Sequence, residues 1–551
     1  MVSLTADQDL ALNNIINFIY SPIYDVKDTA AILQSPAGCG KTFLMKMVVN
    51  KIQPTFKIVL LAPTHKARKV IDTMVNKDRL LEIKTMTIAS ILNKMREHSY
   101  IGTKNYVKGN NSKMNLFDVY IIDEASMITD NDVNSIIRYA FENKKKVLFI
   151  GDKFQIPNPS QKYICKNGFA TKKDSLAFDI SKVFELTTII RQAENNPIIN
   201  LYTELRKSIS EMREPSILYK NNINNDKGVC FYQDENKWYE KFYKLYSDWG
   251  EDKHNLRIIA YTNSNVRHHN LQIRRILKRG PTPEIGEILM GYNNLGFPSP
   301  VIENSQDYYV TNVVNKENFH IFYKTKVFQD LCGNMITIKE TDSNKIAKIF
   351  MIDISNENNK DVLTKLVELA ERVNKPKSTK DDFKNYCSIK NNLVFMENIY
   401  KFNGKIIGET EFKGENPLLF KSVKDIIEDC DDGDRNILEN KLSKQISDKY
   451  GEILTERLQD DKPISGTERI CDKFCVIEKD IDYGICITAH KSQGSSFHTV
   501  FIDDSDFDKL QDSWNYDLDC KIKSIKEKNQ LKYVAFTRPT HFAHIYKSLS
   551  A

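Results

Sequence analysis

The chain has 551 residues, 41% apolar and 28% charged, with 79 Lys and Arg against 73 Asp and Glu for a net charge of +6. At about 150 residues per domain this implies about four domains with apolar content for several cores, and it excludes overall disorder. No run of about 18 apolar residues could span a membrane, Met1–Leu10 lacks the basic-then-apolar order of a secretory signal, and ten scattered cysteines fit a reducing cytoplasm.

From Thr5 to about residue 190 the pattern alternates strand and helix. Ala30–Gln34 is a short apolar run, followed by a Gly-containing turn and a helical stretch from Thr42 to Lys51. Lys57–Ala62, Val119–Ile122 and Lys146–Ile150 are further buried-strand candidates. Continuous apolar runs between helices are what a parallel sheet covered on both faces requires, so this third is predicted to be doubly wound α/β. A second α/β pattern starts near residue 185, with a strand at Leu256–Tyr261 and a helix at Asn265–Lys278. It returns with strands at Tyr483–Thr488, Val500–Ile502 and Tyr533–Phe536. Between them, Tyr308–Val313, Asn334–Lys339 and Ala347–Ile352 read as strands of a small β unit, followed by helical stretches at Asp361–Val373 and Ser422–Gln459. The expected domains are therefore a first core over 1–185, a second core over 186–300 and 481–551, and an inserted module over 301–480. Cys471 and Cys475, with no second pair or nearby His, do not read as zinc ligands.

The segment Ser35-Pro36-Ala37-Gly38-Cys39-Gly40-Lys41-Thr42 lies between a strand and a helix and matches a phosphate-binding loop except at its first position, where Ser35 replaces Gly. Backbone N–H groups at the helix start would cradle phosphate oxygens, Lys41 would neutralise the β and γ phosphates, and the Thr42 hydroxyl would hold Mg²⁺. Val119–Ile122 runs into Asp123 and Glu124: the first carboxylate suits Mg²⁺, the second can orient and deprotonate an attacking water. After the strand ending at Ile150, Gln155 stands where it could contact a γ-phosphate. These residues predict ATP or GTP hydrolysis.

Taken in order, the motifs resemble superfamily 1 helicases, specifically the RecD-like branch and its Dda-like phage group. Leu4-Thr5-Ala6-Asp7-Gln8 resembles the family's N-terminal glutamine motif, which implies that Gln8 bonds adenine and favours ATP. Ala62-Pro63-Thr64-His65-Lys66-Ala67 and Thr87-Ile88-Ala89-Ser90 are similar to elements that touch the nucleic-acid backbone, with Ala89 where the family has His. Asp123-Glu124-Ala125-Ser126-Met127 and Gly151-Asp152-Lys153-Phe154-Gln155-Ile156 match the second and third motifs. Leu186-Thr187-Thr188-Ile189-Ile190-Arg191 resembles the opening of the second core, which implies Arg191 as an arginine finger. Ala260-Tyr261-Thr262-Asn263, Ile285-Gly286-Glu287, Thr488-Ala489-His490-Lys491-Ser492-Gln493-Gly494 and Tyr533-Val534-Ala535-Phe536-Thr537-Arg538 match later elements, with Arg538 as a second finger.

The resemblance implies two RecA-like parallel-sheet motor domains, a small hairpin insertion at about 91–117 in the first, and an SH3-like β-rich accessory domain inserted in the second. It also implies an ATP- and Mg²⁺-dependent 5′→3′ DNA helicase that translocates on single-stranded DNA and unwinds forked duplexes. Thr64, His65, Thr87, Ser90, Thr262, His490, Lys491 and Ser492 are its expected strand contacts, which position without reading sequence. His490 and Lys491 could instead couple the strand to the ATP site through Gln493. Tyr100, Tyr106 or Phe117 could supply a strand-separating wedge. A monomer acting in the cytoplasm, as a phage protein in its host, alongside single-stranded-DNA-binding, replication or recombination proteins, completes the expectation. An RNA helicase, or a nucleotide-switched binding protein with little turnover, remains open on the motifs alone.

Overall fold

A computed structural model describes residues 4–548 apart from 77–82, 93, 97–105, 109–112, 160–161, 165–169, 190–195, 225, 249–252, 281, 293–300, 324–325, 344, 354–355, 360–473, 477–480 and 511–517. Arg191, Tyr100 and the expected helices at 361–373 and 422–459 lie outside the described residues. By its contacts the chain divides into two units, one of Met1–Met95, Lys108–Gly280 and Tyr483–Ala551, the other of Arg96–Val107 and Pro281–Asp482.

The first unit holds two six-stranded sheets. In chain order the first is built from β1 (Ala30–Gln34), β2 (Ile58–Ala62), β3 (Lys84–Thr87), β4 (Val119–Ile122), β5 (Lys146–Gly151) and β6 (Val183–Glu185), in the order β6-β1-β5-β4-β2-β3 and parallel throughout. Every residue of β2, β4 and β5 is buried, which is why these strands show no apolar–polar alternation. Helices α1 (Ala6–Tyr20), α2 (Lys41–Ile52) and α3 (His65–Asn76) form one apolar layer against the sheet, and α4 (Asp130–Glu142) contributes to the other. Phe117 packs on that second layer, and the 91–117 segment includes a two-stranded sheet of Lys94–Arg96 and Tyr106–Lys108.

The second core begins with helix α5 (Ile198–Glu211), then β7 (Asn222–Asn224), β8 (Lys227–Tyr232), α6 (Glu235–Asp248), β9 (Leu256–Ala260) and α7 (Asn263–Ile276). The inserted module supplies β10 (Ile288–Gly291), β11 (Asp307–Tyr323), β12 (Lys326–Glu340), β13 (Ile346–Ile352), β14 (Phe474–Val476) and β15 (Ile481–Tyr483), ordered β14-β13-β12-β11-β10-β15. Because β10 pairs with β11, this module starts near Pro281, ahead of the expected 301. Gly286 turns into it at φ +84°, a conformation glycine adopts without strain. The core then resumes with β16 (Cys486–Thr488), β17 (Phe497–Asp503), helix α8 (Leu518–Phe536) and β18 (Pro539–Tyr546), giving β7-β8-β18-β17-β9-β16. Leaving β6 and β7 aside, the two sheets thread their five shared positions in the same chain order, which is the RecA-like arrangement.

One expected strand is a correction. Tyr533–Phe536 closes α8 instead, and the strand follows it at Pro539. All four residues are fully buried, and a short run buried on every side carries no period that separates strand from helix.

Candidate nucleotide site and strand-binding face

The phosphate loop joins β1 to α2. Gly38 and Gly40 lie at φ +89° and +79°, a region that side chains rarely adopt. Ser35 does not, so its side chain costs nothing there; it is buried, and its N–H donates to the Gly151 carbonyl at 3.0 Å. Pro36 lacks an N–H, leaving Ala37, Gly38, Cys39 and Gly40 as the loop's donors. Lys41 Nζ folds back onto the carbonyls of Ser35 and Pro36, both at 2.9 Å. Thr42 follows in the first turn of α2. Gln8 is buried under the loop, accepting from Thr5 N–H at 3.1 Å and donating to Cys39 O at 3.0 Å. Its neighbour Asp7 accepts from the N–H groups of Thr187 (2.8 Å) and Thr188 (2.9 Å), tying α1 to the segment between the cores. Burial alone would raise the Asp7 pKa, but the Thr5 hydroxyl and those two N–H groups reverse this and hold it well below the carboxylate range.

Asp123 and Glu124 follow β4 directly. Glu124 sits at φ +53° and its N–H donates to Asp123 Oδ1 at 2.9 Å. Desolvation first, then the adjoining Glu124 charge, pushes the Asp123 carboxyl up, with Lys41 opposing. A carboxylate raised for want of a cation, beside a loop of N–H donors, a lysine and the Thr42 hydroxyl, is a donor set that fits Mg²⁺ and phosphate together. Gln155 is buried in the turn after β5. The second core closes over it: Gln493 Nε2 donates to Gln155 Oε1 and Ser126 Oγ at 3.2 Å each and approaches Glu124 Oε2 at 3.4 Å. Gln493 thus touches both residues expected to handle water and γ-phosphate.

Of the two expected arginine fingers, Arg538 lies among the described residues and Arg191 does not. Arg538 is buried, its guanidinium bonded to the carbonyls of Val534 (2.8 Å) and Ser495 (2.8 Å) and to the Thr537 hydroxyl (2.8 Å), all in the second core. Arg206, on α5 and in no motif singled out from sequence, reaches the first core, donating to Asp152 at 2.9 and 3.0 Å. A guanidinium pointing from an amphipathic helix has no signature in one sequence.

The expected strand contacts gather at one edge of each sheet. Thr64, Thr87, Thr262 and Thr488 each follow or end a parallel strand, and each hydroxyl accepts the N–H three residues on, from Ala67 (3.1 Å), Ser90 (3.2 Å), Asn265 (3.2 Å) and Lys491 (3.3 Å). Register pairs Ala62 with Thr87 in the first sheet and Ala260 with Thr488 in the second, so the caps occupy matching places. His65 opens α3, Ser90 is exposed, and His490 and Lys491 are half-buried on the turn after Thr488. Ser492 departs from expectation: it is fully buried and donates to Ala489 O at 2.8 Å, so it supports that turn from within. Thr262 also donates to Asp506 at 3.0 Å.

Among the described residues no helix is long and apolar enough to cross a membrane. The AAA domain family model matches residues 19–214. An uncharacterized protein, R530, of Acanthamoeba polyphaga mimivirus is 23% identical over 524 residues, 91% of this chain and 93% of that protein. The ATP-dependent DNA helicase dda of Enterobacteria phage T4 is 26% identical over 284 residues, 50% of this chain and 59% of that helicase. Among solved structures, Pif1 helicase from Bacteroides in complex with ADP-AlF3 and ssDNA aligns with a TM-score of 0.43 at 13% identity, over 99% of this chain and 92% of that one. Pif1 helicase from Candida albicans gives 0.40 at 12% identity, over 99% and 94%. The matched region holds the phosphate loop and its carboxylates, and a second core threaded the same way meets them through Gln493, so the chain is similar to the ATP-dependent DNA helicase dda in the part that carries a nucleotide site.

Proposed function

We propose that the chain moves 5′→3′ along single-stranded DNA and unwinds forked duplexes, with one ATP hydrolysed per opening and closing of the two cores. The supporting observation is Gln493: a second-core amide bonded to Gln155 and close to Glu124 makes the hydrolysis site sensitive to how the cores meet.

In this reading Lys41 and the loop of Pro36, Ala37, Gly38, Cys39 and Gly40 bind the phosphates. Thr42 and Asp123 hold Mg²⁺, which supplies charge neutralisation. Glu124 orients and deprotonates water, and Gln155 reports the γ-phosphate. Gln8 serves the adenine side, and Arg191 and Arg538 stabilise the transferring phosphoryl group when the cores close. Thr64, His65, Thr87, Ser90, Thr262, His490 and Lys491 take the strand, two capped helix starts per core, so one core can hold while the other shifts. In this reading the protein works as a monomer in an infected cell's cytoplasm, beside replication or recombination proteins; the viral origin of two relatives supports the infected-cell setting.

Unwinding of two partial duplex DNAs, one with a 5′ and one with a 3′ single-stranded tail, tests this in ATP and Mg²⁺. Opening of the 5′-tailed substrate alone is expected; opening only from the 3′ tail would reverse the polarity and break the proposal.

A further inference from the structure

Arg206 Nη1 donates to both Asp152 oxygens and, at 3.0 Å, to the Tyr533 hydroxyl, while its guanidinium lies 4.3 Å from the Phe154 ring centroid. Asp152 is buried and shapes the turn that carries Gln155: Phe154 N–H donates to its Oδ1 and Gln155 N–H to its carbonyl, both at 3.1 Å. Tyr533, fully buried at the end of α8, donates to Asp152 Oδ2 at 2.6 Å and accepts the Ala37 N–H at 3.3 Å. One hydroxyl proton given and two lone pairs filled satisfy this phenol completely.

The chain of contacts has a direction. It starts at a charge on the second core, passes through a carboxylate and a phenol, and ends on the third residue of the phosphate loop. Without Arg206, Asp152 would be a buried carboxylate held by the neutral Phe154 N–H and Tyr533 hydroxyl, a costly state. Both things it organises, the Gln155 turn and the Tyr533 oxygen on Ala37, belong to the nucleotide site.

We propose that Arg206 is a positioning residue of the ATP site: by holding Asp152 and the Tyr533 hydroxyl together, it sets the phosphate loop at Ala37 and the Gln155 turn for hydrolysis while the two cores touch. This rests on the first core being the hydrolysis site. Arg206 acts through Asp152 and Tyr533 and need not touch nucleotide itself.

The test compares ATP turnover, with and without saturating poly(dT), and mant-ADP binding for the full chain and for Lys41→Ala, Arg206→Ala, Arg206→Lys and Tyr533→Phe, with thermal unfolding of each. Arg206→Ala should lower DNA-stimulated kcat by about 10²-fold, the scale of a slight misplacement of reacting groups, with a smaller change in mant-ADP affinity. Tyr533→Phe, which keeps the ring but removes the hydroxyl's contacts with Asp152, Arg206 and Ala37, should lower kcat by about tenfold. Arg206→Lys should recover part of the loss, and the Arg206→Ala/Tyr533→Phe double variant should be no worse than Arg206→Ala alone. Normal turnover in both Arg206→Ala and Tyr533→Phe, with Lys41→Ala dead, overturns the proposal and leaves the ATP site standing. Normal turnover in Lys41→Ala removes the site reading instead. If Arg206→Ala does not fold, a silent Tyr533→Phe still overturns the proposal.

Discussion

The two cores are the same fold put to opposite uses. Register aligns them residue by residue: Leu61 pairs with Ile122 in the first sheet and Ile259 with Ile502 in the second, so Asp123 and Glu124 correspond to Asp503 and Asp504. Both pairs of carboxylates end the same strand of the sheet. In the first core Asp123 lacks a protein cation strong enough to offset burial, and its carboxyl is raised. In the second, Asp504 is fully buried between Lys532 (2.8 Å) and Lys547 (3.2 Å) and accepts from Tyr219 at 2.7 Å. Burial raises it, but the two lysines outweigh that and hold it below the usual range. Asp503 is taken by His269 (3.0 Å) and Asn265 (3.1 Å). The strand-to-helix link differs as well: β1 leads through a loop with two left-handed glycines, while β8 reaches α6 through Gln233 and Asp234. The same strand end thus carries a carboxylate pair that Lys41 only partly offsets in the first core, and one that buried lysines tie down in the second.

The largest effect that would break this contrast is on turnover. Glu124→Gln is expected to lower kcat for ATP by about 10²–10⁴-fold, the range of general-base loss, with mant-ADP binding retained. Its counterpart Asp504→Asn should leave turnover per folded molecule unchanged and instead cost about 3–5 kcal/mol in urea unfolding, as when one partner of a buried pair is removed. Loss of hydrolysis in Asp504→Asn would show that the second carboxylate pair is not merely structural. The threonine caps sharpen the comparison at a smaller scale. Thr64→Ala should cost about 1 kcal/mol by the same unfolding measurement, while Thr262→Ala should cost more, because it also strips the hydroxyl donated to buried Asp506. Equal losses would mean that the Asp506 contact adds nothing. Gln493→Ala should lower DNA-stimulated turnover by about tenfold, with less effect on the rate without DNA; an unchanged rate ratio would remove the cross-core link.

The smallest effect concerns Asp7. Its folded pKa is depressed, so its contribution is present above the unfolded value of about 3.9 and is lost as pH falls through the folded one. Wild type should therefore melt above Asp7→Asn at pH 7, and the gap should narrow towards pH 3. A gap that widens on acidification would refute the assignment.

Local chemistry explains what was readable. The glycines of the phosphate loop, the carboxylates after β4 and the four threonines are each required by a backbone conformation or a cap within a few residues, so their spacing is visible in one dimension. Tyr533–Phe536 was misread because complete burial erases periodicity. Ser492 was misread because adjacency to His490 and Lys491 says nothing about which way a side chain turns on a one-turn helix. Arg206 was invisible: its partners Asp152 and Tyr533 lie 54 and 327 residues away.

By itself, then, the sequence determined which loop has the form of a phosphate-binding loop, which carboxylates follow the buried strand, and that two α/β units flank an insertion, because those features are built from neighbouring residues. Only the tertiary structure decided which carboxylate pair is neutralised by buried lysines and which is not, which amide crosses between the cores, and that Arg206 reaches from the second core to Asp152. Those outcomes depend on cations and donors brought together by sheet order, and sequence distance carries no measure of that proximity.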